Sequence, residues 1–298
     1  MNNGELIYCD GTPGDELSVR RSFTHSGPIG VFDSGYGGLT VLKEIRRRLP
    51  QYSYLYLGDN ARAPYGTRSF ECVYQFTRQA VEHLFSCGCP LVILACNTAS
   101  AKALRNIQQN DLPDMDDPTR RVLGVIRPTV EKTGELTASR HIGVLGTPGT
   151  VASRSYELEL AKLHPDIHVT QHACPMWVPL VENRESAGPG ADYFVKKEID
   201  ALFEADSDID TVILACTHYP LLLDKIRKYM PGGVRTVVQG NIVAESLADY
   251  LSRHPEMERR LLRGASVDYL TTEHPDKFSD LGSLFLSEPV SARHIDLN

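Results

Sequence analysis

Two of the seven cysteines occupy matching contexts. The string ILAC ends at Cys96 and again at Cys216, and polar residues follow each thiol, NTAS after the first and THYP after the second. A cysteine that closes an aliphatic strand is ordinarily a packed core residue. Core packing has no use for the amides and hydroxyls that come next, and a second copy in the same surroundings makes the pair a candidate for chemistry. A thiol can pass protons as well as attack electrophiles. Two thiols of similar strength, set on opposite sides of one carbon, would let one face lose a proton while the other gains one. The outcome is inversion at that carbon.

Both thiols are expected at the start of a helix. Asn97 or Thr98 can cap one running through ASAKALRNI, and Pro220 suits the first turn of one that begins after Thr217 or His218. The positive end of a helix favours thiolate over thiol, and a free thiol of pKa ~8.5 needs only modest tuning to react near neutrality. Two more loops would share the rim. FDSGYGGLTVL carries Asp33 and Ser34, with Gly35, Gly37 and Gly38 to let backbone approach a ligand. It has neither the Gly-x-Gly-x-x-Gly spacing of dinucleotide loops nor the Gly-Lys-Ser/Thr ending of triphosphate loops. LGTPGTVASRSY offers Thr147, Thr150 and Ser153 as neutral donors for a carboxylate, and GDNARAPYG, residues 58–66, is expected to form a loop over the cleft.

A duplicated α/β frame would bring these residues together. From Pro28 onward, short β-branched runs alternate with stretches of helical period, the pattern of a parallel sheet wrapped by helices. IGVF (29–32), YLYL (54–57) and LVILA (91–95) read as buried strands, and VLGVI (122–126), IGVL (142–145) and TVILA (211–215) repeat the alternation. Val73, Phe76, Ala80 and Leu84 recur at helical spacing and predict an amphipathic helix. IGVF and ILAC of the first half are echoed, in order and at similar separation, by IGVL and ILAC of the second, which points to two related halves. Ligands in such sheets bind beyond the carboxyl ends of the strands, where both cysteines would emerge. The expected division is a discontinuous first domain of residues 28–122 plus 235–298, a second of 123–234, and an extension of 1–27. NDLPDMDDPTR, 110–120, reads as an exposed linker between halves. A second crossing is expected near Pro231, Gly232 and Gly233, so that NIVAESLADYL packs back on the first half.

Composition narrows the class. A net charge of −7 argues against nucleic acid as a partner. No segment approaches the ~20 apolar residues that span a bilayer, and the first 27 residues lack the basic start and apolar centre of a secretory signal. A soluble, cytoplasmic protein is expected. An odd number of cysteines in a chain this long reads as reduced thiols. His83, Cys87 and Cys89 cluster near a helix end, but their spacing matches no standard zinc motif. Cys9, Cys72 and Cys174 have no supporting context, and Trp177 stands between Pro175 and Pro179, where it would shape the segment presenting Glu182 or fill core.

Taken in order, DSGYGGLTV, PYG, CNTAS and CTHYPLL resemble the glutamate racemases of the aspartate/glutamate racemase family, over nearly all of Pro28 to about Tyr250. The resemblance implies two flavodoxin-like domains with the active site between them. It also implies two-base racemisation of L- and D-glutamate without pyridoxal or metal, feeding D-glutamate to peptidoglycan synthesis. Carried over by motif, Cys96 and Cys216 would be the proton-transfer pair, Asp33 would assist near Cys96, and His218 and Glu182 near Cys216. Asp33, Ser34, Pro64, Tyr65, Gly66, Asn97, Thr98, Thr147, Thr150, Thr217 and His218 would contact substrate. No cofactor is expected. The expected partners are glutamate, a second copy of the chain as a homodimer, and a peptidoglycan precursor acting as activator. A negative Asp33 raises rather than lowers a neighbouring thiol's pKa, so its role would be proton handling.

Two departures from the family pattern are Arg127 in VIRPTV, where an acidic residue is common, and Gln239-Gly240, where many members have Asp-Ser. Competing readings are an aspartate racemase or related decarboxylase on the same scaffold, and a non-catalytic module that cages a small anion. His218 favours glutamate, since the aspartate enzymes would carry an acidic residue there.

Overall fold

The computed structural model describes residues 26–297. Its strands are β1 (Ile29–Asp33), β2 (Tyr54–Gly58), β3 (Leu91–Leu94), β4 (Arg121–Gly124), β5 (His141–Gly146), β6 (His168–Ala173), β7 (Thr211–Ala215), β8 (Arg235–Val237), β9 (Val267–Thr271) and β10 (Ala292–His294). They form two sheets, β10-β9-β2-β1-β3-β4 and β6-β5-β7-β8, with every pairing parallel. The run β2-β1-β3-β4 has the same order as β6-β5-β7-β8, so the echo between halves is a repeat of topology, with β9 and β10 added to one edge of the first copy. The chain is therefore α/β with two related parallel sheets.

Central strands are buried on both faces and read as continuous aliphatic runs, as parallel strands covered by helices must. β1, β3 and β7 have no half-exposed residue. The helix Phe70–Ser86 buries Val73, Thr77, Ala80, Val81, Leu84 and Phe85 along one stripe. It starts where the Ser69 hydroxyl accepts from Cys72 N–H, and it ends at Gly88, whose φ of +86° favours a residue without Cβ.

Several expected boundaries shift. VLGVI yields a strand only to Gly124, because Ile126 already opens the helix Ile126–Gly134. β4 pairs with β3 and β8 with β7, so the chain leaves the first sheet after Gly124 and the second after Val237, not at 122 and 234. Segment 110–120 is no linker between halves, since it joins β3's following helices to β4 within one sheet. Its Asp117 is buried and paired with Arg260. The helix Gln239–Arg253 does pack back on the first half, with Arg47 donating to Asn241 and Arg48 to Glu245. Apart from Ser26 and Gly27, the extension 1–27, and Cys9 with it, lies outside the described residues.

Candidate active site

β1, β3, β5 and β7 all end at one cleft. Cys96 follows β3 and Cys216 follows β7, the equivalent strand of the other sheet, and both thiols are buried. Both open onto a single cavity of about 150 Å³. That is well below the ~300 Å³ at which pockets for drug-sized ligands begin. It has room for a small amino acid.

The two thiols have different surroundings. Cys96 is itself the N-cap of the helix Asn97–Lys102, its Sγ accepting from Ala99 N–H at 3.4 Å, so the cap expected of Asn97 or Thr98 belongs to the thiol. Ser34 Oγ lies 3.4 Å from the same sulfur. Burial pushes the Cys96 thiol up to about 12, and the nearby Asp33 charge adds to it, against the opposing pull of Ser34 and the Ala99 amide. The helix start lowers this pKa as expected but does not win, because desolvation of an ion is the larger effect at a buried thiol.

On the other side, Cys216 Sγ stands 3.9 Å from His218 Nδ1, and His218 Nε2 lies 2.9 Å from Glu182 Oε1. The three form a relay from sulfur through imidazole to carboxylate. Burial works against a charged His218 ring, but hydrogen bonds to Cys216 and Glu182 outweigh it and lift the imidazole to about 10. Glu182 closes the short helix Trp177–Glu182. Trp177 is fully buried against Tyr219, at a centroid distance of 4.7 Å, so it both fills core and fixes the helix that presents Glu182.

Asp33 ends β1 with no exposure to solvent. Its Oδ2 accepts from Gly35 N–H at 2.9 Å and its Oδ1 from Thr217 Oγ1 at 3.4 Å. Desolvation raises its pKa, while the charge of His218 and the amides of Gly35 and Gly38 oppose that rise. Asp33 therefore acts on Cys96 through its field and is bonded to the Cys216 side. It does not line the cavity, and neither does Thr150. Thr150 stands behind Thr147 and Thr98, the three hydroxyls bonding one another at 3.0 to 3.2 Å.

Of the other expected contacts, Ser34, Pro64, Tyr65, Gly66, Asn97, Thr98, Thr147, Thr217 and His218 all line the cavity. The Asn97 side chain is committed elsewhere, to a closed buried ring. Asn97 Nδ2 donates to Gln239 Oε1 at 2.7 Å, Gln239 Nε2 donates to Tyr156 OH at 2.7 Å, and Tyr156 OH donates to Asn97 Oδ1 at 2.6 Å. This is what the Gln239 departure does: it ties the residue after Cys96 to the second half. Sequence reasoning missed that ring, along with Cys174, Pro175, Val178 and Pro179 as cavity walls. Cys174 sits at the carboxyl end of β6, the same rim position as the other site residues.

The glycines let the halves meet. A Cβ on Gly37 would stand 2.2 Å from Thr217 Oγ1 and 2.4 Å from His218 Nδ1. Gly149 N–H donates to Gly66 O at 2.7 Å, a second backbone contact between the halves.

A family model described as Asp/Glu/Hydantoin racemase matches residues 29–247. The curated glutamate racemase of Ruegeria sp. (strain TM1040) is 40% identical over 273 residues, which cover 88% of this chain and 98% of that protein. Among solved structures, glutamate racemase isoform RacE1 of Bacillus anthracis superposes with a TM-score of 0.82 at 36% identity, covering 92% of this chain and 98% of its own. The glutamate racemase of Francisella tularensis, solved in complex with D-glutamate, gives 0.81 at 30% identity, covering 93% and 99%.

Proposed function

The chain belongs to the Asp/Glu/Hydantoin racemase family, and from that premise we infer that it passes the α-proton of glutamate between Cys96 and Cys216. It is an amino-acid racemase that interconverts L- and D-glutamate, the reaction that supplies D-glutamate for peptidoglycan. One observation carries the residue roles: two buried thiols from equivalent strands of two repeated sheets open onto one amino-acid-sized cavity.

In this reading one sulfur takes the α-proton as thiolate while the other gives its proton to the opposite face. His218, held charged by Glu182, stabilises a Cys216 thiolate and returns a proton to it. Asp33 and Ser34 serve Cys96, with Asp33 keeping that thiol protonated until substrate arrives. Thr98, Thr147 and Thr217 line the cavity, and their hydroxyls turn from their present partners, one another and Asp33, to donate to the substrate carboxylates. The roles of Asp33, His218 and Glu182 are positional or proton-handling, and the thiols do the transfer. The chemistry is proposed to run on these side chains alone. The domain division that fits the site is residues 28–124 plus 238–298 against 125–237, with the cleft between.

The enzyme works in the cytoplasm, and among the described residues no helix is long and apolar enough to cross a membrane. It acts as a homodimer, which sedimentation equilibrium checks. A peptidoglycan precursor activates it, a reading supported by a hollow of about 680 Å³ between the halves, whose lining includes Lys102 and Arg105 together with Arg127 and Lys162, the last two paired with Glu131 and Glu159.

The deciding experiment is solvent exchange in deuterated buffer. Each glutamate enantiomer acquires deuterium at the α-carbon on incubation with the enzyme and no added cofactor. Exchange with aspartate but not glutamate would move the assignment to the sister activity. Binding with no exchange would reduce the protein to an anion-binding module.

A further inference from the structure

At the end of the second sheet remote from the thiols, three side chains converge on one point. His141 opens β5 and His168 opens β6, and the two are register partners on adjacent strands, so their side chains leave the same face. Asp206 follows the helix Pro189–Ala205, which packs on that face. His141 Nδ1 lies 2.9 Å and His168 Nδ1 3.1 Å from the same oxygen, Asp206 Oδ2, and Thr170 Oγ1 is 3.2 Å from it. The ring centroids are 5.0 Å apart. The other carboxylate oxygen, Oδ1, accepts from Asp208 N–H at 3.0 Å, which fixes the carboxylate's orientation. Asp206 is nearly buried, whereas His168 is largely exposed and His141 partly so.

As a set of plain hydrogen bonds this is overcrowded. A carboxylate oxygen has about two lone-pair sites, and three donors address this one. The same groups suit a cation far better. Two neutral imidazoles with Nδ1 lone pairs turned inward, and a carboxylate with its second oxygen already held, make a three-ligand set with a fourth position open to solvent. Zinc–ligand bonds of ~2.0 to 2.1 Å in a tetrahedral site put ligand atoms ~3.4 Å apart. Each imidazole nitrogen would have to move only a few tenths of an ångström further from Asp206 Oδ2, and all three donor atoms already lie within 4.8 Å of one another.

We propose that His141, His168 and Asp206 form a site for a borderline transition-metal dication such as Zn²⁺, which clamps the edge strand β6 to β5 and to the end of the helix Pro189–Ala205. Imidazole and carboxylate donors together select zinc, nickel or copper over magnesium or calcium. The site lies at the amino ends of β5 and β6, whose opposite, carboxyl ends lead to the cavity-lining Thr147 and Cys174, so its role is to hold the second half together rather than to take part in proton transfer. It is independent of the racemase reading. Nothing in it touches Cys216, His218 or Glu182.

The test is a titration of chelator-treated enzyme with ZnCl₂, followed by calorimetry and thermal unfolding. One equivalent binds and the melting temperature rises; in His168→Ala the affinity falls at least ~10-fold and the rise in melting temperature shrinks, with racemisation unchanged in the absence of metal. His168 is exposed enough that this variant folds, and Asp206→Asn supplies a second. Zinc also has affinity for thiols, so cobalt(II) is the control: nitrogen and oxygen ligands give d–d bands without thiolate charge transfer. Failure to bind zinc, equal binding in wild type and His168→Ala, or a cobalt spectrum dominated by thiolate would overturn the site.

Discussion

Gly37 and Thr217 belong to different halves of the protein, and the backbone of one runs so close to the hydroxyl of the other that a methyl group on Gly37 would stand 2.2 Å from it. That contact bears on how far apart Cys96 and Cys216 lie, because Thr217 directly follows Cys216 and Gly37 is in the loop after β1, the hydrogen-bonded neighbour of the strand that delivers Cys96. Gly37→Ala therefore pushes the halves apart. Misplacement of reacting groups by about 1 Å costs ~10²-fold, so kcat/KM falls by that order in a steady-state racemisation assay. Gly190→Ala, at a glycine with open space around it, leaves the rate unchanged. Equal activity in both variants would remove the contact from the mechanism.

Cys96→Ser and Cys216→Ser each lower racemisation by at least ~10³-fold, within the range expected when a positioned acid–base group is lost. Because the enantiomers are equal in free energy, kcat/KM must fall equally in the two directions, while kcat and KM taken separately become unequal. Circular dichroism traces started from each enantiomer read this directly. Full turnover in either variant ends the two-thiol assignment.

Glu182→Gln removes the carboxylate that helps hold His218 charged. The pH profile of kcat/KM for the wild type keeps a protonated His218 up to about pH 10, and its alkaline limb moves to lower pH in the variant. A purely structural role for Glu182 would lower the whole curve without displacing the limb.

His218 also links stability to pH. Its pKa in the folded protein, about 10, lies above the ordinary value of 6.5, so the folded state holds the proton more tightly than the unfolded chain. This contribution is fully present below pH 6.5, declines above it, and is gone once the pH has risen through about 10. In urea melts across that window, wild type loses more stability than His218→Asn. Parallel curves would contradict the assignment.

Tyr156→Phe opens the ring that joins Asn97, Gln239 and Tyr156, leaving the Asn97 oxygen without its buried donor. A buried polar group so stranded costs ~1 to 3 kcal/mol, read as a lower urea midpoint. Gln239→Leu has a comparable effect, and the double variant loses less than the sum, as members of one network do.

How much of this was legible in the sequence depended on whether the signal was local. β1, β3, β5 and β7 are aliphatic runs, and both thiols stood out because each ends one of them. β6 reads HVTQHA and was missed. Its His168, Thr170 and His172 face a helix that answers with Asp206 and Glu198, so polar pairing does what apolar burial does elsewhere. Cys174, at its end, was hidden with it. β8 and β10 have three residues each, too few for any period, and they exist through long-range parallel pairing. The Asn97–Gln239–Tyr156 ring joins residues 59, 83 and 142 positions apart, beyond any local pattern. Segment 110–120 looked like a boundary because it is polar, but a buried carboxylate matched by Arg260 is polar too.

The bond from Gly149 N–H to Gly66 O joins main chain to main chain, so it involves no side chain that a substitution could remove. The loop that carries Tyr65 is therefore tethered to the helix start that carries Thr147, and both flank the cavity the thiols share. Clean removal takes an ester in place of the Gly149 amide, and its expected signature is a weaker grip on substrate with both sulfurs intact.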